Sequence, residues 1–311
     1  MSADKGPTLS IIILNWNTAA LLEKCLRSIR KHVTLDHETI VVDNNSADES
    51  VELVRNRFPH VRLLAQAENL GFSRGNNAGL EAARGAYLLL LNPDTELQPG
   101  TLEALIAFMT GNKRAGIAGP TLRFPDGSLQ PSTAPFPTLW VEFLRQTMLY
   151  RHFPTTAQRA AHRNELRQVD TVTGAALLIR RECYEDIGPL DPSIFMFYED
   201  TDWCKRAKET GWEIWFVPCS GIIHVKAAAS SRLARTRTLL DSQRSTIYYF
   251  RKHHGKEAII TLRFIALWAA FMRSSRALFH WLTGHERSDQ RARLRAYRQL
   301  LLWSLTGRGL S

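Results

Sequence analysis

Apolar runs at Thr8–Leu14, Thr39–Val42, Val61–Ala65 and Tyr87–Leu91 alternate with segments whose apolar residues recur at helical spacing. No other feature of the chain constrains its fold as strongly. Ala19–Lys31 places Leu21, Leu22, Leu26 and Ile29 on one helical face, and Ala47–Arg57 and Asn76–Arg84 read as further helices. Strands separated by helices imply βαβ units and a mainly parallel sheet, an α/β fold of Rossmann-like type. Ligands of such sheets bind beyond the carboxyl ends of the strands, which directs attention to Asn15–Thr18, Asp43–Ser46 and Asn92–Glu96. Further along, Pro120–Pro137 reads as loops with short strands, Thr156–Gln168 as a polar helix, Thr171–Arg180 as a strand and Phe195–Lys208 as the approach to a helix.

With 311 residues the chain buries a core without help from disulfides or metals. Its four cysteines, Cys25, Cys183, Cys204 and Cys219, are scattered without a C-x-x-C pair, which argues against a zinc site. No signal peptide is legible, so a reducing, cytoplasmic setting is expected. No uncharged apolar stretch reaches the about 18 residues that would point to a polytopic membrane protein.

The net charge of +10 is unevenly placed: residues 226–311 hold 17 Lys and Arg against 4 Asp and Glu, whereas residues 1–225 hold 23 against 26. A basic segment of that kind suits a polyanionic partner, a membrane surface or a nucleic acid. Within it, Ala258–Leu282 has helical character, but its longest uncharged run, Phe264–Met272, is too short to span a bilayer. At about 100° per residue, Arg263, Arg273, Arg276 and His280 fall in an arc of about 140°. The rest of the helix, with Trp268 and Trp281, is apolar, the pattern of a cationic amphipathic helix in a membrane interface. Five arginines within Arg287–Arg298 strengthen that reading. Packing of the apolar arc on the protein, with the arginines in water, is the alternative.

Several residue groups have the chemistry of a site. A carboxylate at a strand end, Asp43, suits a nucleobase N–H or a ribose hydroxyl, although a turn or cap uses the same residue. Asp94, after four leucines and Asn92-Pro93, can hold a hard divalent cation at the sheet rim. The spacing G-x-x-x-G-x-x-x-G in Gly71–Gly79 matches neither a dinucleotide fingerprint nor a phosphate-binding loop, yet permits a donor-binding loop feeding a helix N-terminus. Glu199-Asp200-Thr201-Asp202 packs three acids together, which raises their pKa values and suits one of them to act as general base; helix capping is the plainer reading. His224, after Ile222-Ile223, can be a metal ligand.

In this order the segments Ile11–Asn17, Val41–Ser46, Asn69–Gly79, Leu88–Thr95, Thr173–Arg180, Phe195–Asp202 and His224 resemble the family 2 glycosyltransferases of GT-A fold. The resemblance covers about residues 8–225. Asn-Pro-Asp, Phe-Tyr-Glu-Asp-Thr-Asp-Trp-Cys and Tyr248–Gly255 look most like the bacterial rhamnosyltransferase-type members, which build cell-envelope polysaccharides. The resemblance implies an inverting transferase that moves a sugar, best L-rhamnose from dTDP-rhamnose, to a hydroxyl of a glycan or polyprenyl-diphosphate-linked acceptor. It implies a GT-A domain over residues 1–225, with a nucleotide-sugar half to about residue 120 and an acceptor half after it. A basic helical, membrane-associating extension over residues 226–311 would hold the enzyme peripherally on the cytoplasmic face of the inner membrane.

The same resemblance assigns roles. Asp43 would bind the base of a dTDP- or UDP-sugar, with Asn15, Asn17 and Asn45 beside it. Gly71, Arg74, Asn76 and Asn77 would line the donor site. Asp94 matches the last acid of the family's D-x-D motif and Asn92 stands in for the first, so that Asp94 and His224 would hold Mg²⁺ or Mn²⁺. Asp200 would be the base, with Glu199 and Asp202 as alternatives, and Gly174 and Trp203 would shape the acceptor side. A nucleotidyltransferase is the nearest rival, but Asn15-Trp16-Asn17-Thr18 has none of the Gly, Arg and Lys that enzyme needs after its first strand. A basic nucleic-acid-binding protein is the other; no helix-turn-helix, zinc or RRM pattern supports it, so no nucleic-acid partner is expected.

Overall fold

The computed structural model describes residues 6–147, 164–226 and 232–282, together with residues 298, 302, 303 and 305. The described chain divides into two compact units. One comprises Met1–Phe136, Ala157–Phe195 and Glu199–Lys226; the other comprises Pro137–Thr156, Met196–Tyr198 and Ala227–Ser311.

The first unit opens with the expected alternation: β1 (Leu9–Asn15), α1 (Ala19–His32), β2 (His37–Asp43), α2 (Ser50–Arg57), β3 (Arg62–Ala65), α3 (Gly71–Ala82) and β4 (Tyr87–Leu91). These four strands are parallel in the order β3-β2-β1-β4. Both faces of β1 and β4 are covered, which is why they read as unbroken apolar runs rather than alternating ones. Beyond β4 follow β5 (Thr95–Leu97), α4 (Thr101–Gly111), β6 (Ala115–Arg123), β7 (Leu129–Gln130) and β8 (Thr133–Ala134). After α5 (Leu139–Gln146), which belongs to the second unit, come β9 (Arg167–Gln168), β10 (Thr171–Val172), β11 (Ala176–Arg180), α6 (Arg181–Ile187), α7 (Glu199–Glu209) and β12 (Glu213–His224). The sheet continues β4-β11-β6-β12-β5, with β11 antiparallel to both neighbours and β12 parallel to β6.

Three local expectations change. The glycine-rich Gly71–Gly79 is helix from its first residue, not a loop ahead of one. Its spacing of four puts Gly75 and Gly79 on the face turned to the sheet. A Cβ on Gly75 would come within 2.5 Å of Leu14 Cδ1, and one on Gly79 within 2.4 Å of Ile12 Cγ2. Close packing on β1 therefore offsets the about 1 kcal/mol per residue that glycine costs a helix. Thr171–Arg180 is two strands, β10 and β11, broken by a turn at Thr173–Ala175. The polar helix expected over Thr156–Gln168 lies largely outside the described residues, and its end, Arg167–Gln168, pairs with β12 as strand β9.

The second unit carries α5, α8 (Arg232–His253) and α9 (Gly255–Leu282). Tyr249 and Phe250 of α8 pack with Ala258 and Leu262 of α9, with Leu139 and Tyr198 against them. Tyr198 donates to Glu142, which also holds Arg145 and Gln146, so this unit has a buried polar network beside its apolar core. The arc of α9 that faces the protein is the one expected to face water. Ala258, Leu262, Ile265, Ala266, Ala269 and Ala270 are buried, and Arg273 on the same arc reaches the carbonyl of Gln146. Small side chains and guanidinium stems that find backbone acceptors let that arc pack closely. Arg276, His280 and Trp281 have side chains outside the described set, as does most of Arg287–Arg298.

Candidate active site

The candidate residues of the site all belong to the first unit. The parallel register pairs Asn15 with Asp43, so the last residues of β1 and β2 stand side by side. Asn15 Nδ2 donates to Asp43 Oδ1 at 3.0 Å, and the Ser46 N–H donates to Asp43 Oδ2 at 2.9 Å. Asp43 is buried, yet each oxygen retains acceptor capacity for a ligand N–H or O–H. Thr18 Oγ1 fixes the other end of the Asn15 amide at 2.6 Å.

Asn17 ties the two loops together. Its N–H donates to Ser46 Oγ at 2.9 Å and its Oδ1 accepts from the Ala47 N–H at 2.7 Å. Its φ of 54° and the 62° of Asn45 lie in the left-handed region that Asn tolerates better than most residues. Asn45 is exposed, whereas Asn44 is buried and bonded to Asn69, Leu70 and Gly71. Asn44 is thus the residue that fastens the start of α3 to the end of β2, and sequence reasoning passed over it.

Asp94 and His224 meet because β5 pairs antiparallel with β12, with His224 opposite Thr95. His224 Nε2 lies 3.3 Å from Asp94 Oδ1, and both side chains are buried. Gln130 Nε2 faces the His224 carbonyl, so its Oε1 faces Nδ1, 2.7 Å away. An amide oxygen only accepts, so Nδ1 carries the hydrogen and Nε2 presents its lone pair to a carboxylate. Two acceptors so placed call for a cation between them, a proton or a metal ion. Imidazole and carboxylate are a fitting donor pair for Mn²⁺ or Mg²⁺. Among the described residues no third His, Cys, Asp or Glu joins them, so further ligands would come from a substrate or water.

The break between β10 and β11 supplies the other half of the site. The Asn92 N–H donates to the Ala175 carbonyl at 3.0 Å, and the Gly174 N–H donates to Asp200 Oδ2 at 2.9 Å. Asp200 Oδ1 accepts from the Thr201 N–H and hydroxyl at 2.6 and 3.1 Å. Asn92, Gly174 and Asp200 are therefore brought together at the end of β4. Burial raises the Asp200 carboxyl above the usual carboxylate range, against the three donors that hold it charged. Glu199 beside it is buried, its Oε2 has no hydrogen-bond partner, and burial with the adjacent Asp200 charge pushes it up to about 8.

The remaining candidates point elsewhere. Asp202 is fully buried against Arg206 at 2.9 Å, and Arg206 also bonds carbonyls of Ile187 and Pro189. Trp203 is a core residue whose Nε1 donates to the Gly188 carbonyl. Asn77 clamps both backbone groups of Leu190, Asn76 bonds the Phe72 carbonyl of its own helix, and Arg74 is exposed. Gly71, at φ 79°, lies so close to Phe195 that a Cβ would come within 2.5 Å of the ring.

Residues 10–188 match the sequence profile described as glycosyl transferase family 2. The chain belongs to that family. This glycosyltransferase is 28% identical over 263 residues to N-acetylglucosaminyl-diphospho-decaprenol L-rhamnosyltransferase of Mycobacterium tuberculosis, an alignment covering 79% of this chain and 85% of the relative. It is 27% identical over 206 residues to the low-salt glycan biosynthesis hexosyltransferase Agl10 of Haloferax volcanii, covering 64% of this chain and 61% of the relative. Among solved structures, a mannosyltransferase of Pyrobaculum calidifontis in complex with GDP-Man and Mn²⁺ superposes with a TM-score of 0.55 at 16% identity, covering 98% of this chain and 89% of that one. TarS of S. aureus (residues 1–349) superposes with a TM-score of 0.53 at 15% identity, covering 97% and 92%. These likenesses establish the GT-A fold with its α/β sheet.

Proposed function

We propose that this enzyme transfers a sugar with inversion from a nucleotide diphosphate donor to a hydroxyl of a glycan or polyprenyl-diphosphate-linked acceptor. The observation that carries the reading is Asp200, a half-buried carboxylate fixed by three donors beside the end of β4, where the donor's diphosphate would lie. The acceptor hydroxyl gives its proton to Asp200 as its oxygen bonds to the anomeric carbon, and the bond to the nucleotide diphosphate breaks on the opposite face. Glu199, raised to about 8, stays neutral near pH 7 and leaves the negative charge on Asp200. Asp202, locked to Arg206, is a positioning residue that holds the first turn of α7.

Asp43, with Asn15 and the Asn17 loop, accepts the base of a uridine or thymidine nucleotide. Asp94 and His224 hold a divalent ion, Mg²⁺ or Mn²⁺, whose chemistry when bound is to neutralise the diphosphate leaving group. L-Rhamnose from dTDP-rhamnose is the favoured donor, supported by the mycobacterial relative's name and its coverage of both chains. The basic C-terminal segment holds the enzyme on an anionic membrane at the cytoplasmic face, where a lipid-linked acceptor is found.

The test is to incubate the full chain with dTDP-rhamnose, UDP-glucose or GDP-mannose, a polyprenyl-diphosphate-linked N-acetylglucosamine and Mn²⁺, and to weigh the lipid products. A mass gain of one deoxyhexose with dTDP-rhamnose alone supports the reading. Product from GDP-mannose alone overturns the assignment of the donor base.

A further inference from the structure

On α9 the large apolar side chains facing away from the protein are Ile260, Phe264, Trp268, Phe271 and Met272, each 50–66% exposed, and exposed Glu257, Thr261 and Ser275 lie on the same face toward its two ends. At about 100° per residue the five apolar ones occupy one arc of about 120°, opposite the buried arc of Ala258, Leu262, Ile265, Ala266, Ala269 and Ala270. Four of the six buried residues are alanines, whereas all five of the exposed apolar ones are large. The two described arginines of α9 lie off the exposed arc, so the only charged side chain on it among the described residues is Glu257, in the first turn. Arg263 bonds the Leu305 carbonyl and Arg273 the Gln146 carbonyl, both within the second unit.

Gly255–Ser275, 21 residues whose most apolar 18 have a mean hydropathy of 1.3, is long and apolar enough by length and composition to cross a membrane, as the shorter uncharged run alone is not. The buried arc argues against crossing. A helix with one side packed on α8 and α5 cannot be ringed by lipid, whereas a flat helix meets lipid on one side only. Exposed Arg251, Lys252 and Lys256 stand where α9 begins, within a segment holding 17 Lys and Arg against 4 Asp and Glu. An aromatic stripe bordered by cations matches the acyl boundary and the headgroups of an anionic bilayer.

We propose that Ile260, Phe264, Trp268, Phe271 and Met272 form a membrane-inserting stripe, by which α9 lies flat in the interface of an anionic lipid bilayer. This sharpens the membrane part of the proposed function and rests on the second unit alone. Failure of the donor or base assignment therefore leaves it untouched. Attraction by charge disappears when salt screens it, whereas insertion of apolar side chains does not.

The experiment is co-sedimentation of the full chain with phosphatidylglycerol–phosphatidylcholine vesicles, at low salt and at about 1 M salt, where the Debye length is about 3 Å. The wild type is expected to stay bound at both. Phe264→Ser with Trp268→Ser and Phe271→Ser should lose at least tenfold of the high-salt binding, with an unchanged circular dichroism spectrum. A second measurement does not depend on the triple variant: lipids brominated on their acyl chains should quench part of the tryptophan emission of the wild type, and less of it in Trp268→Phe. Equal high-salt binding by the triple variant, or equal quenching in Trp268→Phe, overturns the proposal. So does a wild type that dimerises through this face, becomes monomeric in the triple variant and never sediments with vesicles.

Discussion

The Gly174 N–H donates to Asp200 Oδ2 at 2.9 Å, joining the turn between β10 and β11 to the first turn of α7. Because Asn92 bonds Ala175 in the same turn, the end of β4 and the carboxylate share one rigid support. Thr201 completes it with two bonds to Oδ1, of which the hydroxyl's is removable without touching the backbone. Removing a donor that favours the charged form raises a carboxyl pKa. Thr201→Val should therefore move the acid limb of the kcat/KM profile to higher pH, by roughly half a unit to one unit. An unmoved limb, measured over the stable pH range, counts against Asp200 as the titrating base.

Gln130 fixes the tautomer of His224, so its effect should appear in metal binding rather than in folding. Gln130→Leu is expected to weaken Mn²⁺ activation about 10–100-fold, the usual cost of losing a group that orients a ligand histidine. Titrating Mn²⁺ into the assay, with thermal unfolding measured alongside, separates the two effects. An unchanged activation constant would speak against His224 as a ligand.

Glu199 makes a prediction about stability. Its carboxyl moves from an ordinary 4.5 to about 8 in the folded protein. Between those values the folded chain keeps a proton that the unfolded chain has released. The stabilisation is complete below about pH 4.5 and is lost as pH rises toward 8. Urea midpoints for Glu199→Gln should accordingly fall less than those of the wild type over that interval. Parallel curves for the two proteins would show that Glu199 does not hold the proton.

The stripe of glycines on α3 is tested by packing. A Cβ at position 79 would stand 2.4 Å from Ile12 Cγ2 and 3.1 Å from Val42 Cγ2, so helix and sheet must separate. Gly79→Ala should lose about 1–3 kcal/mol in denaturant unfolding despite its better helix propensity. A gain in stability would mean that α3 does not lie against β1 as described.

These four cases show which parts of the molecule the sequence makes legible. Local periodicity marks β1 to β4 and places Asp43 and Asp94 at strand ends, because buried parallel strands and their terminal loops differ sharply in composition. Gly71–Gly79 misleads because glycine disfavours helix in isolation, while its spacing of four is a signal that only a packed sheet explains. Gln130 and His224 stand 94 residues apart, and nothing local to Gln130 announces the contact. Of Asn44 and Asn45, only the folded chain shows which turns inward. In α9 the two arcs are plain from periodicity, but which arc packs depends on alanines and on arginines that find carbonyl acceptors.

The most direct test of the account is the turnover of Asp200→Asn with dTDP-rhamnose and a lipid-linked acceptor, measured beside dTDP binding by calorimetry. Loss of the base predicts a fall in kcat of about 10²–10⁴-fold, with the affinity for dTDP in Mn²⁺ unchanged. Turnover equal to the wild type, with the protein folded and nucleotide bound, would contradict the assignment of Asp200 and with it the proposed chemistry of the site.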